Sequence, residues 1–189
     1  GFRYVLVEGI KDAEFKAIAV YSDMEETGDF RCSDELINKL VENARWSQKG
    51  NFLDVATDCP TRERAGWTGD AGAFAPTGVY LADCWPVLRK WLAECRIAQT
   101  EDGRVANIAP VNNSGSMISD MLQGSAGWGD ACILVPWALY EAYGDSAVLA
   151  ENYEMMKGWM NYCTNRAKQT RDGNLGNPWH EYLVDQGFH

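Results

Sequence analysis

Apolar side chains recur every three or four positions over most of the chain after residue 32, which is the spacing of amphipathic helices. The first helix is predicted to begin at Ser33, whose hydroxyl would cap the free N–H groups. Its apolar face comprises Leu36, Ile37, Leu40, Val41 and Ala44. Four more helices are predicted: from Asp70 to about residue 80, from Pro86 onward, over residues 130–143, and from residue 146 to about residue 166.

The apolar stripes of the later helices predict which side chains enter the core. They comprise Trp85, Leu88, Trp91, Leu92 and Cys95 in the third helix, and Val148, Leu149, Tyr153, Met156, Met160 and Cys163 in the last. Trp137 and Trp159 also lie at apolar helical positions. We therefore interpret Trp85, Trp91, Trp137 and Trp159 as packing residues and exclude them from any binding site.

The first thirty residues follow a different pattern. Apolar residues alternate with others at the start, and a second apolar stretch covers residues 15–21 after a turn-rich segment. Both features are typical of strands, so we predict a strand pair that ends a β-domain. The chain is accordingly divided into residues 1–31, a β-strand segment, and residues 32–189, a helical domain.

Short turns join the predicted helices of the second half. Gly144 stands where a helix end favours a left-handed residue, and Ser146 stands where the next helix needs a cap. Helices joined in this way lie antiparallel, so a mainly α fold of side-by-side hairpins is predicted. An α/α toroid fits best, and a four-helix bundle is the plainer alternative. The segment over residues 99–129 is longer than a structural connection needs and is predicted to carry function.

Charge and aromatic content narrow the class of ligand. The 189 residues include 27 acidic and 17 basic side chains, for a formal net charge of -10, which disfavours binding to nucleic acid. Carboxylates and eight tryptophans suit neutral sugars, whose hydroxyls bind carboxylates and whose C–H faces lie on indole rings. No apolar run approaches the roughly 20 residues that cross a bilayer, so no membrane partner is predicted. A cytoplasmic, periplasmic or secreted location and any oligomeric state are compatible with the sequence.

The six cysteines are widely spaced and do not pair with the two histidines, His180 and His189. This spacing does not fit a zinc site, so we expect no metal and no other cofactor. Cys95 and Cys163 fall on apolar helical faces, where reduced thiols are common.

One stretch, residues 57–70, concentrates charge in a predicted loop between helices. Its charged and aromatic residues are Asp58, Arg62, Glu63, Arg64, Trp67 and Asp70. Glycosidic bond cleavage needs one carboxylic acid that protonates the leaving oxygen and a second carboxylate across the sugar. Neighbouring acids would raise the pKa of Glu63, whereas neighbouring arginines would lower it. The alternative is an ion-pair network of Arg62, Glu63, Arg64 and Asp70 that pins the loop.

The run DCPTRERAGWTGD at residues 58–70 resembles the signature of the bacterial α-L-rhamnosidases of glycoside hydrolase family 78. Other segments follow the pattern of this family in the same order along the chain: residues 1–5, 50–54, 91–92, 102–105, 124–130 and 136–137. The resemblance therefore covers nearly the whole chain. It implies an (α/α)6 barrel preceded by a β-sandwich domain, with this chain holding the end of the sandwich and the first part of the barrel.

The resemblance also implies roles for individual residues. Glu63 resembles the general acid of the family, and Asp58 and Asp70 resemble the acidic residues that bind rhamnose hydroxyls. Trp67 and Trp128 resemble the aromatic walls of the sugar pocket.

Three further expectations come from local sequence. Trp128 lies between two glycines that would expose its ring, and Arg62 could orient carboxylates, so both are candidate binding residues. Asp130, at the predicted start of a helix, is expected to cap it.

The activity implied by the resemblance is inverting removal of terminal α-L-rhamnose from glycosides or polysaccharides. In the family a second glutamate activates water, and it lies downstream of the positions present here, so we expect this stretch alone to be inactive. Two alternatives are another α/α-toroid glycosidase with a different sugar, and a noncatalytic carbohydrate-binding module. In such a module Trp67 and Trp128 would matter and Glu63 would not.

Overall fold

The computed structural model describes residue 2, residues 4–111 and residues 123–169. Within this part the chain forms five α-helices: α1 (Glu35–Asn51), α2 (Thr68–Leu81), α3 (Trp85–Ala98), α4 (Ala131–Tyr143) and α5 (Ala147–Gln169). Two short strands between α1 and α2, β1 (Phe52–Leu53) and β2 (Val55–Ala56), pair antiparallel. The prediction of a mainly α fold is confirmed.

The helix ends follow local chemistry, with one change from the prediction. Asp34, and not Ser33, caps α1, because its Oδ1 accepts hydrogen bonds from the N–H groups of Leu36 at 2.8 Å and Ile37 at 3.4 Å. The positive end of the helix dipole also stabilises a charged carboxylate more than a neutral hydroxyl. At the end of α4, Gly144 adopts the predicted left-handed conformation, with a φ of 69°.

Asp34→Ala is expected to lower the free energy of unfolding by about 1 kcal/mol, because the first turn of α1 loses its side-chain acceptor. Ser33→Ala is the matched change at the neighbouring position and is expected to leave that free energy unchanged. Urea unfolding of the two variants, followed by helical circular dichroism, measures the difference. Equal losses in the two variants would contradict the assignment of Asp34 as the cap.

The core of the described residues lies where α2 packs against α4. Small residues let the two backbones come close: a Cβ added at Gly72 would lie 3.2 Å from Cα of Ala131. Both helices continue through an internal proline, Pro76 in α2 and Pro136 in α4. The motif loop at residues 58–67 leads directly into α2, so this tightly packed pair holds the loop.

The stripe predicted for α3 is confirmed, since its inner positions Leu88, Trp91, Leu92 and Cys95 are buried. Trp159 is buried as predicted, Trp85 is half-buried, and Trp137 is about half exposed.

The buried face of α5 is rotated from the predicted one. It comprises Val148, Asn152, Met155 and Trp159, whereas Tyr153 and Met160 are 60% and 52% exposed. Asn152 explains the difference, because a search for apolar stripes passes over a polar residue. Its Nδ2 donates to the carbonyl of Val148 at 2.7 Å and its Oδ1 accepts from Arg96 at 2.6 Å, so its burial leaves no polar atom unpaired.

The predicted apolar face of α1 is exposed among the described residues. Leu36 is 82% and Leu40 66% exposed, and the helix contributes to the interior near its C-terminal end, where Gln48 is buried. A closed four-helix bundle would cover such a face, so the exposure counts against that alternative.

The first thirty residues differ from the predicted strand pair, since residues 2 and 4–30 form no strand. A strand needs a partner for its backbone groups, and the backbone hydrogen bonds of this segment go elsewhere. The N–H of Ser22 donates to the carbonyl of Phe52 at 2.8 Å, and the carbonyl of Glu25 accepts from the N–H of Asp83 at 2.7 Å. Residues 22–25 therefore contact the end of α1 and the end of α2. The domain boundary at residues 31 and 32 stays a prediction.

Candidate functional site

The motif loop is closed at its base by two hydrogen bonds between Asp58 and Ala65. The N–H of Asp58 donates to the carbonyl of Ala65 at 3.0 Å, and the N–H of Ala65 donates back to Oδ1 of Asp58 at 3.0 Å. Arg64, just before the closure, has a φ of 54°, so the chain turns sharply here. The loop thus presents Glu63 near its tip from a base that is held without any ion pair.

Both carboxylate oxygens of Glu63 have partners. Oε1 accepts from Arg62 at 2.9 Å, and Oε2 accepts from the indole Nε1 of Trp67 at 2.8 Å. The backbone N–H of Glu63 donates to Sγ of Cys59 at 3.1 Å. The Arg62 side chain is 84% exposed, so its ion pair with Glu63 is worth at most about 1 kcal/mol. The bond from Trp67 is therefore the more specific constraint on the carboxylate.

The alternative of a pinning ion-pair network is not what the loop contains. The guanidinium of Arg64 donates to the carbonyl of Thr61, at 3.4 Å from Nε and 3.2 Å from the terminal nitrogen. Within the described residues, the pair Arg62 and Glu63 is the ion pair of this loop. The loop is therefore held by hydrogen bonds and one exposed ion pair, and not by a network of ion pairs.

Trp67 and Trp128 meet although 61 positions separate them in the sequence. Their rings are edge to face, with centroids 6.3 Å apart and planes at 63°. The Trp128 ring also covers Gly69, where an added Cβ would lie 3.1 Å from the indole. Both rings are half-buried. The glycines beside Trp128 were expected to expose its ring, and they do so only in part. Within the described part of the chain its buried Nε1 has no hydrogen-bond partner.

Residues 105–109 form the support that holds the motif loop. Thr68 donates its N–H to the carbonyl of Asn107 at 2.8 Å, and the carbonyl of Gly66 accepts from the N–H of Ala109 at 2.9 Å. The fully buried side chain of Asn107 then donates to Oγ of Ser125 at 2.7 Å. The described part of the long segment therefore ties the motif loop to the turn that carries Trp128; residues 112–122, including most of its Asn- and Ser-rich part, lie outside the described residues.

Thr68 and Asn107 were not predicted as site residues from the sequence. The available signal was a single polar residue inside the apolar run at residues 105–109. A buried amide in such a run must have hydrogen-bond partners, which predicts that it joins two backbones.

Asp58 and Asp70 line a cavity of about 340 Å³ at the start of α2. Its other walls come from the end of α1, from β1 and β2, and from the first turns of α2: Ser47, Gln48, Asn51, Phe52, Ala56, Thr57, Ala71, Ala73 and Phe74. The cavity therefore combines two carboxylates with a largely apolar lining, which is a usual composition for small-ligand pockets. Glu63, Trp67 and Trp128 are not among the residues that line it.

The pKa values of the two carboxyl groups that line the cavity are shifted in opposite directions. Desolvation raises the pKa of Asp70, and the negative charges of Asp58 and Glu63 raise it further. Desolvation acts in the same direction on Asp58, but hydrogen bonds from the Cys59 thiol and from the N–H groups of Ala65 and Cys59 together lower its pKa. Asp58 is thus fixed as an ionised acceptor, while Asp70 holds a proton more readily.

The structure corrects the expectation for Asp130, which makes no side-chain cap for α4. Its Oδ1 accepts from Nε1 of Trp159 at 2.9 Å, and its Oδ2 accepts from the N–H of Gly127 at 3.2 Å. A carboxylate at a helix start was expected to bond to the helix itself. The carboxylate of Asp130 instead accepts from the buried indole of Trp159 in α5.

The described residues contain no cluster of three His, Cys, Asp or Glu side chains that could hold a metal ion, and no helix among them is long and apolar enough to span a bilayer. His180 and His189 lie outside the described residues. All six cysteines have free thiols. Burial raises the pKa of Cys84 and of Cys132 to about 12, so these thiols are not activated.

Known proteins that resemble this chain are α-L-rhamnosidases. The family model described as the bacterial alpha-L-rhamnosidase 6 hairpin glycosidase domain matches residues 25–187. An alpha-L-rhamnosidase of Streptomyces avermitilis is 44% identical over 167 residues, which cover 86% of this chain and 16% of that protein. One from Formosa agariphila is 39% identical over 168 residues, covering 85% and 17%. The chain thus spans 16–17% of the length of these curated relatives.

Solved structures agree with the sequence comparison. The crystal structure of Streptomyces avermitilis alpha-L-rhamnosidase complexed with L-rhamnose matches with a TM-score of 0.72 and 43% identity, over 77% of this chain and 14% of that one. That of the Aspergillus terreus enzyme matches with a TM-score of 0.68 and 44% identity, over 76% and 16%. The helices described above are therefore part of an (α/α)6 toroid, as the resemblance implied. This chain belongs to the bacterial α-L-rhamnosidase six-hairpin glycosidase domain family.

Proposed function

We propose that the complete protein carrying this chain removes terminal α-L-rhamnose from glycosides or polysaccharides by an inverting mechanism, with Glu63 as the general acid. Family membership supports this activity, and the related Streptomyces avermitilis enzyme was crystallised with L-rhamnose. The observation that carries the proposal is the contact of Oε2 of Glu63 with the indole of Trp67, at 2.8 Å, beside a second indole. It places a carboxyl group beside an aromatic surface, and glycosidases use such a group as the acid and such a surface to hold the sugar.

Glu63 can act on a leaving group because one of its two partners, Arg62, is easily displaced. A sugar seated against Trp67 lies within reach of the carboxyl group, since the indole nitrogen is already in hydrogen-bond contact with it. Displacing Arg62 costs little, because its side chain is mostly exposed. The proton of Glu63 would pass to the glycosidic oxygen as the bond to the anomeric carbon breaks.

Asp58 and Asp70 suit the binding of sugar hydroxyls. Asp58 is held as an ionised acceptor by hydrogen bonds from the loop itself, so a hydroxyl that donates to it meets a carboxylate of fixed orientation. The raised pKa of Asp70 favours its protonated form, which can donate a hydrogen bond to a sugar hydroxyl as well as accept one. Arg62, at the exposed edge, would contact the part of the substrate beyond the terminal sugar.

An inverting hydrolase needs a second carboxylate about 6.5–9.5 Å from the acid, where it activates water. We propose that a glutamate outside this chain supplies it in the complete protein. The 189-residue chain alone would then not turn the sugar over.

Hydrolysis of 4-nitrophenyl glycosides tests the proposed substrate. The complete protein is expected to cleave the α-L-rhamnoside at least about 100-fold faster, in kcat/KM, than the α-D-mannoside or β-D-glucoside, as expected for discrimination by hydroxyl hydrogen bonds. The isolated chain, assayed at equal concentration, is expected to release no nitrophenol. A preference for another sugar would favour a different toroid glycosidase, and turnover by the chain alone would refute the role of an outside base.

A further inference from the structure

Asp130 connects two parts of the molecule that are distant in sequence. Its carboxylate accepts one hydrogen bond from the backbone N–H of Gly127 in the turn before α4 and one from the indole of Trp159 in the middle of α5. Each oxygen of the carboxylate serves one donor. The side chain therefore fastens the turn at residues 127–130 to the core instead of capping its own helix.

The partner in α5 is a rigid one. Trp159 is 1% exposed and stacks on Tyr162, with ring centroids 5.5 Å apart and planes at 26°. The backbone of Gly129 is pressed against the same indole, since an added Cβ would lie 2.5 Å from its ring. The turn thus contacts one buried side chain at two points, through the hydrogen bond of Asp130 and by direct contact at Gly129.

This turn carries Trp128, which is connected to Glu63 through Trp67. The Trp128 ring meets the Trp67 ring edge to face, and the Trp67 indole donates to Glu63. A shift of the turn would move the first ring and remove a wall that holds the second. Asp130 therefore stands at the far end of a continuous series of contacts that ends at Glu63.

We propose that Asp130 is a positioning residue, which holds Trp128 at the angle where it and Trp67 together receive the terminal sugar. The inference rests on the function proposed above. Asp130 itself need not touch the sugar. Its carboxylate is suited to this role because both donors require an acceptor, and an amide in its place would offer one acceptor and turn an N–H toward the other donor.

Asp130→Asn and Asp130→Ala in the complete protein test the proposal. Loss of a hydrogen bond to a charged acceptor is expected to raise KM for the aryl rhamnoside and the Kd for free L-rhamnose about 10-fold in each variant, with kcat changed less than about 3-fold. The isosteric Asn variant still accepts one bond, so it tests the proposal even if the Ala variant is too unstable to purify. Asp145→Asn is the matched control, because Asp145 also bonds to a backbone N–H at a helix start, that of Ala147 at 2.8 Å.

Two readouts separate positioning from simple support of the fold. If Asp130→Asn lowers the melting temperature and leaves KM and Kd as in the wild type and in Asp145→Asn, the inference is overturned. The Kd for L-rhamnose, followed by tryptophan fluorescence, is independent of turnover. A wild-type protein that binds rhamnose without hydrolysing it would refute the proposed function, and the change in Kd in the Asp130 variants would still decide this inference.

Discussion

Glu63→Gln in the complete protein is expected to lower kcat for an alkyl α-L-rhamnoside by about 100- to 10,000-fold, the usual contribution of a general acid. The affinity for L-rhamnose should stay within about 3-fold of the wild type, because glutamine keeps the size of the side chain and one acceptor for the indole of Trp67. Steady-state kinetics and fluorescence titration measure the two effects separately.

A comparison of two leaving groups makes this test more specific. A 4-nitrophenolate departs with little help from a proton, so its release should be impaired much less than that of an alkyl alcohol. Glu154→Gln is a suitable control, because Glu154 is an exposed acid that pairs with Lys157 in α5. Unchanged turnover in Glu63→Gln would exclude it as the general acid. If the protein bound sugar but hydrolysed none, and lost binding in Trp67→Ala, the noncatalytic carbohydrate-binding module would be the better description.

Gly66→Ala is expected to lower the free energy of unfolding by about 1–3 kcal/mol or more, through overpacking against backbone. A Cβ at Gly66 would lie 2.1 Å from the carbonyl oxygen of Ala109, and a backbone atom cannot move aside as a flexible side chain can. Relief of the clash would break the hydrogen bond between the N–H of Ala109 and the carbonyl of Gly66. The motif loop would then separate from its support.

Gly50→Ala provides the matched control in α1. There an added Cβ first meets Cβ of Pro60 at 4.0 Å, an ordinary contact, and alanine is favoured over glycine in a helix by roughly 0.5–1 kcal/mol. The unfolding midpoints of the two variants in guanidinium should therefore move in opposite directions. Equal midpoints would show that residues 66 and 109 do not pack as closely as described.

The helices show which features the sequence pattern predicts and which it does not. Periodic apolar positions predicted all five described helices, and the ends of α4 and α5 lie near the predicted residues, because the apolar period and a terminal glycine such as Gly144 are local properties of the chain. The orientation of a helix is not local. In α5 the polar Asn152 is buried because Arg96 and the carbonyl of Val148 satisfy it, and neither partner can be assigned from the spacing of apolar residues.

The same distinction between local sequence and tertiary packing applies to the candidate site. The charged run at residues 58–70 and its family resemblance indicated Glu63, Asp58, Asp70 and Trp67 from the sequence, and their functional roles stay predictions. Asp130, interpreted as a cap, bonds instead to Trp159. That partner is 29 residues away, so only the packing of α5 beside the turn could identify it.

What the sequence determined by itself is therefore the mainly helical architecture, the family, and the loop that carries the acid, because each follows from periodicity or from a contiguous motif. The tertiary structure decided which side chains meet: Trp128 with Trp67, Asn107 with Ser125, and Asp130 with Trp159. The physical reason is that hydrogen bonds and ring contacts act over a few ångströms in space, and separation along the chain does not predict which distant groups come within that range.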